Sequence, residues 1–173
     1  TLMKVRAREK KLPLVTEYRT AVPDSIQSDP TRLRQVLVNL ADNAIKFTPT
    51  GGQVGIEISA LEEEDALELT VWDTGIGIPE ERQTHLFEPF VQIEGGLSRR
   101  YGGTGLGLAL TGRLAQLLGA RLRVESVEGE GSRFILTVSR AHPIRLEIYA
   151  DPVSPACFVL AEWLADANLD HLV

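Results

Sequence analysis

Asp73-Thr-Gly-Ile-Gly-Ile78 and, further along, Gly102-Gly-Thr-Gly-Leu-Gly-Leu108 are two glycine clusters on either side of one variable loop. So many glycines carry a large entropic cost, so they mark backbone that must come very close to a ligand. Asp73 closes the apolar run Leu69-Thr-Val-Trp72 and precedes Gly75 and Gly77. A carboxylate at a strand end, beside backbone without Cβ atoms, can accept a hydrogen bond from a purine amino group. The plainer alternative is an ordinary Asp-Thr-Gly turn. Trp72 reads as core rather than ligand contact. Gly102 to Gly107 opens a helix, and free N–H groups there, reinforced by the helix dipole, make an anion site. The plainer alternative is a flexible hinge. The cluster lacks the Lys-Ser/Thr ending of a P-loop and the strand and spacing of a dinucleotide fingerprint.

Upstream, Asn39-Leu-Ala-Asp-Asn43-Ala-Ile-Lys46 lies on a predicted helix. Asp29 caps its start, Pro30 fits the first helical position, and Pro49 with Gly51 and Gly52 ends it. Leu33, Val36, Leu37, Leu40, Ala44 and Phe47 form its apolar face. Asn39, Asn43 and Lys46 stand at i, i+4 and i+7, so they share a second stripe at the edge of that face. Amide oxygens are hard, neutral ligands suited to Mg²⁺, and lysine supplies a point charge for phosphate. Alone, such a stripe would read as a polar rim facing water. The glycine clusters give it a purpose.

Around this helix, Leu14–Thr20 alternates as a half-buried strand. Two further strands, about 53–60 and 67–73, flank the acidic turn Glu62-Glu-Glu-Asp65, itself a solvated connection. Residues 79–104 show little periodicity, and a loop of that length is uncommon unless functional. Leu106–Leu118 is a helix offering Leu110, Leu114, Leu117 and Leu118 to the core. Residues 121–127 and 133–139 form a hairpin around Glu128-Gly-Glu-Gly131. Residues 1–11 are either the frayed end of an upstream helix or a solvated tail. The pattern predicts an α+β fold, a two-layer α/β sandwich with a mixed sheet of about five strands and helices on one face.

Composition narrows the function. A hydrophobic content of 43% supports a real core, and a net charge of −6 argues against nucleic acid as the main partner. No apolar run approaches the ~20 residues of a membrane span, so direct membrane contact is not expected. The single cysteine permits a reducing compartment. The chain starts at Thr1, which reads as a piece of something longer.

Taken together, the Asn39–Lys46, Asp73–Ile78 and Gly102–Gly107 boxes resemble the nucleotide-binding boxes of sensor histidine kinases, within the wider Bergerat-type ATPase family. The resemblance covers roughly residues 12–139. It implies ATP and Mg²⁺ as cofactors, with Asn43 as the Mg²⁺ ligand and Asn39 and Lys46 near the phosphates. It implies that Asp73 holds the adenine amine, with Gly75 and Gly77 clearing its approach. Leu86-Phe-Glu-Pro-Phe90 looks like the family's phenylalanine box, with Phe87 and Phe90 anchoring a long ATP lid. Arg99 and Arg100 would reach phosphate from the lid, or else be inert surface charges. Gly103, Thr104, Gly105, Leu106 and Gly107 would close the nucleotide site.

Related hydrolytic ATPases place a glutamate one helical turn before the magnesium asparagine. Here that position is Asn39, and an amide is no general base at neutral pH. The resemblance therefore implies transfer to a histidine on a separate dimerisation domain, with a response regulator downstream. A hydrolytic ATPase and a non-catalytic nucleotide-binding module are the competing classes. His85, His142 and His171 lack the acceptor's acidic, basic and proline neighbours and are read as incidental. The expected division is 1–11 as the end of a preceding helix or linker, 12–140 as the ATP-binding domain, and 141–173 as a β-α appendage. That appendage reads three ways: a truncated receiver unit, the opening of a thioredoxin-like fold around Cys157, or plain packing. The expected location is cytoplasmic, in a parent protein either soluble or membrane-anchored.

Overall fold

A computed structural model describes residues 2–21, 28–88 and 106–139. Its elements are α1 (Leu2–Glu9), β1 (Leu14–Tyr18), α2 (Pro30–Phe47), β2 (Val54–Leu61) and β3 (Ala66–Asp73). They continue with the single turn α3 (Glu80–Gln83), α4 (Gly107–Leu117), β4 (Arg121–Val127) and β5 (Gly131–Ser139). The strands form one mixed sheet in the order β1-β2-β3-β5-β4. The β1–β2 pair is parallel and the other pairs are antiparallel. This is the expected sandwich.

Strand alternation divides the sheet. Val54, Ile56 and Ile58 of β2, Leu67, Leu69 and Val71 of β3, and Phe134, Leu136 and Val138 of β5 join one buried cluster with the helices. From α2 come Leu33, Val36, Leu37, Leu40 and Ala44, as predicted, together with Ala41 and Ile45. Phe47 is only half-buried. The helix starts where the sequence places it: Asp29 Oδ1 accepts from Thr31 N at 3.0 Å and Arg32 N at 3.1 Å. Burying each large side chain contributes about 1.5–3 kcal/mol, so this face holds the fold together.

The opposite face carries no helix among the described residues, yet Glu57, Thr70, Ile135 and Thr137 are buried there. Long side chains crossing the strands account for it. Arg133 of β5 bonds Glu57 of β2 at 2.6 Å, so its guanidinium passes over β3, beside Thr70. Arg123 of β4 reaches Glu68 of β3 at 3.3 Å, passing over β5 beside Ile135 and Thr137. Trp72 lies on this face too, its indole against Gly55. The expectation that Trp72 belongs to the core is therefore corrected: its even register turns it away from the helices.

Two more expectations change. Leu110 and Leu117 are 49% and 43% exposed, whereas Thr111, Ala115 and Leu118 face inward. Small residues on the inner side let α4 lie close to α2, and hydrophobicity alone did not reveal that preference. At the N-terminus, residues 2–9 are helical, and Ala7 and Leu12 are buried in the core. A solvated tail is ruled out there. Residues 140–173, including Cys157, His142 and His171, lie outside the described residues.

Candidate functional site

The site grows from the place where α2, the β3 end and the β4–β5 turn meet. Asn39, Asn43 and Lys46 are all half-buried along one side of α2, as the i, i+4, i+7 spacing requires. Asn39 is already engaged: its Nδ2 donates to Gly107 O at 2.7 Å and to Thr111 Oγ1. It thereby ties α2 to the first turn of α4. The Lys46 ammonium lies 5.0 Å from the centre of the Phe47 ring, a cation–π distance. Asn43 lies half-buried between them on the same side of α2. Leu106 precedes α4 and is 43% exposed.

Asp73 ends β3 and is 8% exposed. Its Oδ1 accepts the Gly75 amide at 2.8 Å. Burial raises the carboxyl to about 6, against the opposing pull of backbone hydrogen bonds from Gly75 and Ser132. Among the described residues its donors are backbone N–H groups, an unusual setting for a buried carboxylate, and it fits a group kept for an incoming donor.

The loop after Asp73 is fastened on every side. Ile76 N donates to Phe47 O at 3.3 Å, Thr74 N to Gln53 O at 3.0 Å, and Gly129 N to Ile76 O at 2.8 Å. Ile78 N donates to Ser126 Oγ at 2.8 Å, and Gln83 Nε2 reaches both Ile78 O at 2.8 Å and Ser126 O at 2.9 Å. A Cβ at Gly75 would stand 2.6 Å from Phe47 O and from Asp73 Oδ1. At Gly77, φ is +65°, and a Cβ would meet Val127 O at 1.9 Å. Both positions therefore need glycine, for close approach and for backbone handedness.

Ser126, Gln83, Ser132 and Thr111 were not singled out by sequence reasoning. Only Ser126 left a trace, as a polar residue in register with the inward Leu122 and Val124. Phe87 keeps its packing role, edge-on to Phe134 with ring centres 6.5 Å apart. Phe90, Arg99, Arg100, Gly103, Thr104 and Gly105 lie outside the described residues. His85 is exposed and pairs with Glu88 at 2.9 Å.

The described residues contain no cluster of three or more His, Cys, Asp or Glu able to hold a metal. Mg²⁺ does not require one. It takes one or two protein oxygens and completes its shell with water and substrate phosphate, and a single amide oxygen at Asn43 beside a lysine fits that demand. No helix among the described residues is long and apolar enough to cross a membrane.

A mixed sheet with helices on one face, and a glycine-cleared acidic corner beside an asparagine-lysine helix, defines a nucleotide-binding α/β sandwich. Residues 28–142 match the family described as histidine kinase-, DNA gyrase B-, and HSP90-like ATPase. The chain belongs to that family. It is 41% identical over 152 residues to the circadian input-output histidine kinase CikA of Synechococcus elongatus, covering 88% of this chain and 19% of CikA. It is 41% identical to the signal transduction histidine-protein kinase BarA of Escherichia coli, covering 78% of this chain and 15% of BarA. The chain thus spans about a fifth or less of these relatives. Among solved structures, full-length ShkA in complex with AMPPNP superposes with a TM-score of 0.69 at 35% identity, over 83% of this chain and 29% of ShkA. The nucleotide-free catalytic domain of the histidine kinase ThkA gives 0.65 at 25% identity, over 90% and 88%.

Proposed function

We propose that this chain binds Mg-ATP and donates the γ-phosphoryl group to a histidine on a separate dimerisation domain of the same parent protein. A response regulator would then receive the phosphoryl group, in a two-component pathway on the cytoplasmic side. The working unit is residues 12–140, with 1–11 leading into it and 141–173 appended. The observation that carries this reading is the Phe47–Ile76 bond. It joins the end of the helix bearing Asn43 and Lys46 to the loop bearing Asp73, which supports phosphate and adenine ends meeting at one corner.

Asp73 would accept the adenine amine, while Gly75 and Gly77 let the base lie close. Asn43 would hold Mg²⁺, which when bound neutralises charge across the phosphates. Lys46 would meet phosphate oxygens, and Arg99, Arg100, Gly103, Thr104, Gly105, Leu106 and Gly107 would close over them. Asn39 is a neutral amide, which is no general base at neutral pH, and its N–H groups hold α4. The chemistry is positioning plus charge neutralisation, with the nucleophile brought from outside.

Phosphorus NMR of stoichiometric Mg-ATP, followed over hours, tests the proposal. Shifted resonances that persist intact are the expected result. Steady release of ADP and phosphate, abolished by Asn43→Ala, would instead establish a hydrolytic ATPase. Unshifted resonances would remove nucleotide binding altogether.

A further inference from the structure

A helix leaves its last four carbonyls without intrahelical donors. In α2 these belong to Ile45, Lys46, Phe47 and the cap residue Thr48, and each has an identifiable partner. Ala44 O, the carbonyl before them, accepts Thr48 N at 3.1 Å and Thr48 Oγ1 at 2.6 Å. Phe47 O accepts Ile76 N from the Asp73 loop. Ile45 O and Lys46 O, with Thr48 O just beyond the helix, converge on one ammonium. Lys10 Nζ lies 2.8, 2.7 and 3.1 Å from them.

An ammonium offers three N–H donors, and a cation at a helix C-terminus also opposes the negative end of the helix dipole. Burial lowers Lys10 from the ordinary lysine range, and the carbonyls supply the polar contacts that burial removes. Lys10 comes from neither α2 nor the sheet. It follows α1, which is docked by buried Ala7 and Leu12 and by an Arg6–Asp42 ion pair at 2.7 Å.

We infer that Lys10 is a positioning residue for the nucleotide site, fixing the carbonyls on either side of Phe47 so that Lys46 and the Ile76 loop keep their relative places. The inference rests on the nucleotide reading proposed above. Lys46 links the two: its carbonyl is held by Lys10, and its side chain belongs to the stripe read as phosphate-facing. Release of the ammonium would let the last turn of α2 fray. The same turn holds the Asp73 loop through Phe47 O, so adenine and phosphate ends would drift apart. Misplacement of about 1 Å is enough to matter for phosphoryl transfer. Through this contact, α1 bears directly on the site.

The test uses the whole chain with Lys10→Met, which keeps the unbranched stem and removes the donors. Leu12→Ala serves as a control that loosens α1 while leaving the ammonium. Two readouts are taken: amide hydrogen exchange of Thr48 and Ile76 without nucleotide, and the Kd for Mg-ATP. Lys10→Met is expected to speed both amides and raise the Kd, each on the order of tenfold, the scale of charged hydrogen bonds lost. Leu12→Ala, which keeps the ammonium, is expected to lower Tm while raising the Kd less than Lys10→Met does, and Lys10→Arg is expected to recover part of the affinity. Exchange at Ile76 and a Kd that match the parent in Lys10→Met, with Mg-ATP still bound, would overturn the positioning role alone. A parent chain that does not bind Mg-ATP would overturn the nucleotide reading, and this inference with it. If Lys10→Met does not fold, Lys10→Gln, with two N–H donors, carries the same comparison.

Discussion

Two carboxylates are buried to almost the same extent, Asp73 at 8% exposure and Glu57 at 9%, and their environments differ in kind. At Glu57 burial alone would raise the carboxyl, but hydrogen bonds from Arg133 and Arg19 outweigh it and hold it below the usual carboxylate range. At Asp73 burial wins over the backbone hydrogen bonds from Gly75 and Ser132, and the carboxyl sits at about 6. Glu57 is satisfied within the fold and serves as the anchor of the arginine-covered face. Asp73 opposes the fold and is tolerated there, a pattern expected where a group is kept for a ligand.

Asp73→Asn breaks the comparison most severely. The amide preserves an acceptor for Gly75 N but offers adenine a weaker, neutral partner. Mg-ATP affinity is expected to fall by about a hundredfold or more, roughly 3 kcal/mol, measured by calorimetric titration. Stability above pH 7 is expected to hold or rise, because the unfavourable buried charge is gone. A variant that loses fold and affinity together would make Asp73 a structural residue.

The pH dependence sharpens the same contrast, since the two groups act with opposite signs. Asp73 titrates at 3.8 ordinarily and at about 6 in the fold, so between those values the native state holds more protons than the unfolded one. Its contribution therefore falls as pH rises through that window, by roughly 2–3 kcal/mol. Glu57 is depressed in the fold, so its contribution is present above its unfolded value and is lost as pH falls through the folded one. Urea unfolding of the parent and Asp73→Asn at intervals from pH 4 to 8 isolates the first term. The difference between the two is expected to grow with pH; a flat difference would mean that Asp73 is not held up by burial.

Glu57→Gln comes next in size. It leaves Arg133 and Arg19 facing a neutral amide and is expected to cost about 1–3 kcal/mol, read as a lower denaturant midpoint. Mg-ATP affinity is expected to stay within twofold (about 0.4 kcal/mol), because Glu57 lies on the sheet face turned away from the helices. A large affinity loss here would erase the distinction between the two carboxylates.

The strand-end place of Asp73 was legible from the sequence and the pairing of Glu57 was not, for a physical reason. Asp73 announces itself through local grammar: an apolar strand before it, then two glycines that the close approaches at Phe47 and Val127 require. Asp29-Pro30 and the 3.6-residue apolar period gave the start and inner face of α2 in the same local way. Glu57 depends on Arg133, seventy-six positions away, and nothing near either residue marks the pairing. Lys10 holding the end of α2 and Gln83 reaching Ser126 were hidden for the same reason. The rotation of α4 escaped because Thr111 and Ala115 face inward through close helix contact, whereas leucine content pointed elsewhere.

The second arginine crossing sets the lower limit of the comparison. Arg123 spans β5 as Arg133 spans β3, and it pairs with Glu68 and Glu125. Its partners are more exposed, with Glu68 at 22% and Glu125 at 55% side-chain accessibility, against 11% for Glu57. Water competes for those charges, so the pairing itself contributes little, and what Arg123 mainly supplies is its aliphatic stem over Ile135 and Thr137. Arg123→Ala is accordingly expected to lower stability by about 0.5–1 kcal/mol, and Arg123→Met, which keeps most of the stem, by less. Chemical denaturation of both variants at low and high salt separates the terms. If Arg123→Met is as unstable as Arg123→Ala, and salt removes the difference from the parent, charge rather than cover is what Arg123 provides. The buried acid at Glu57 would then differ from Glu68 in degree only.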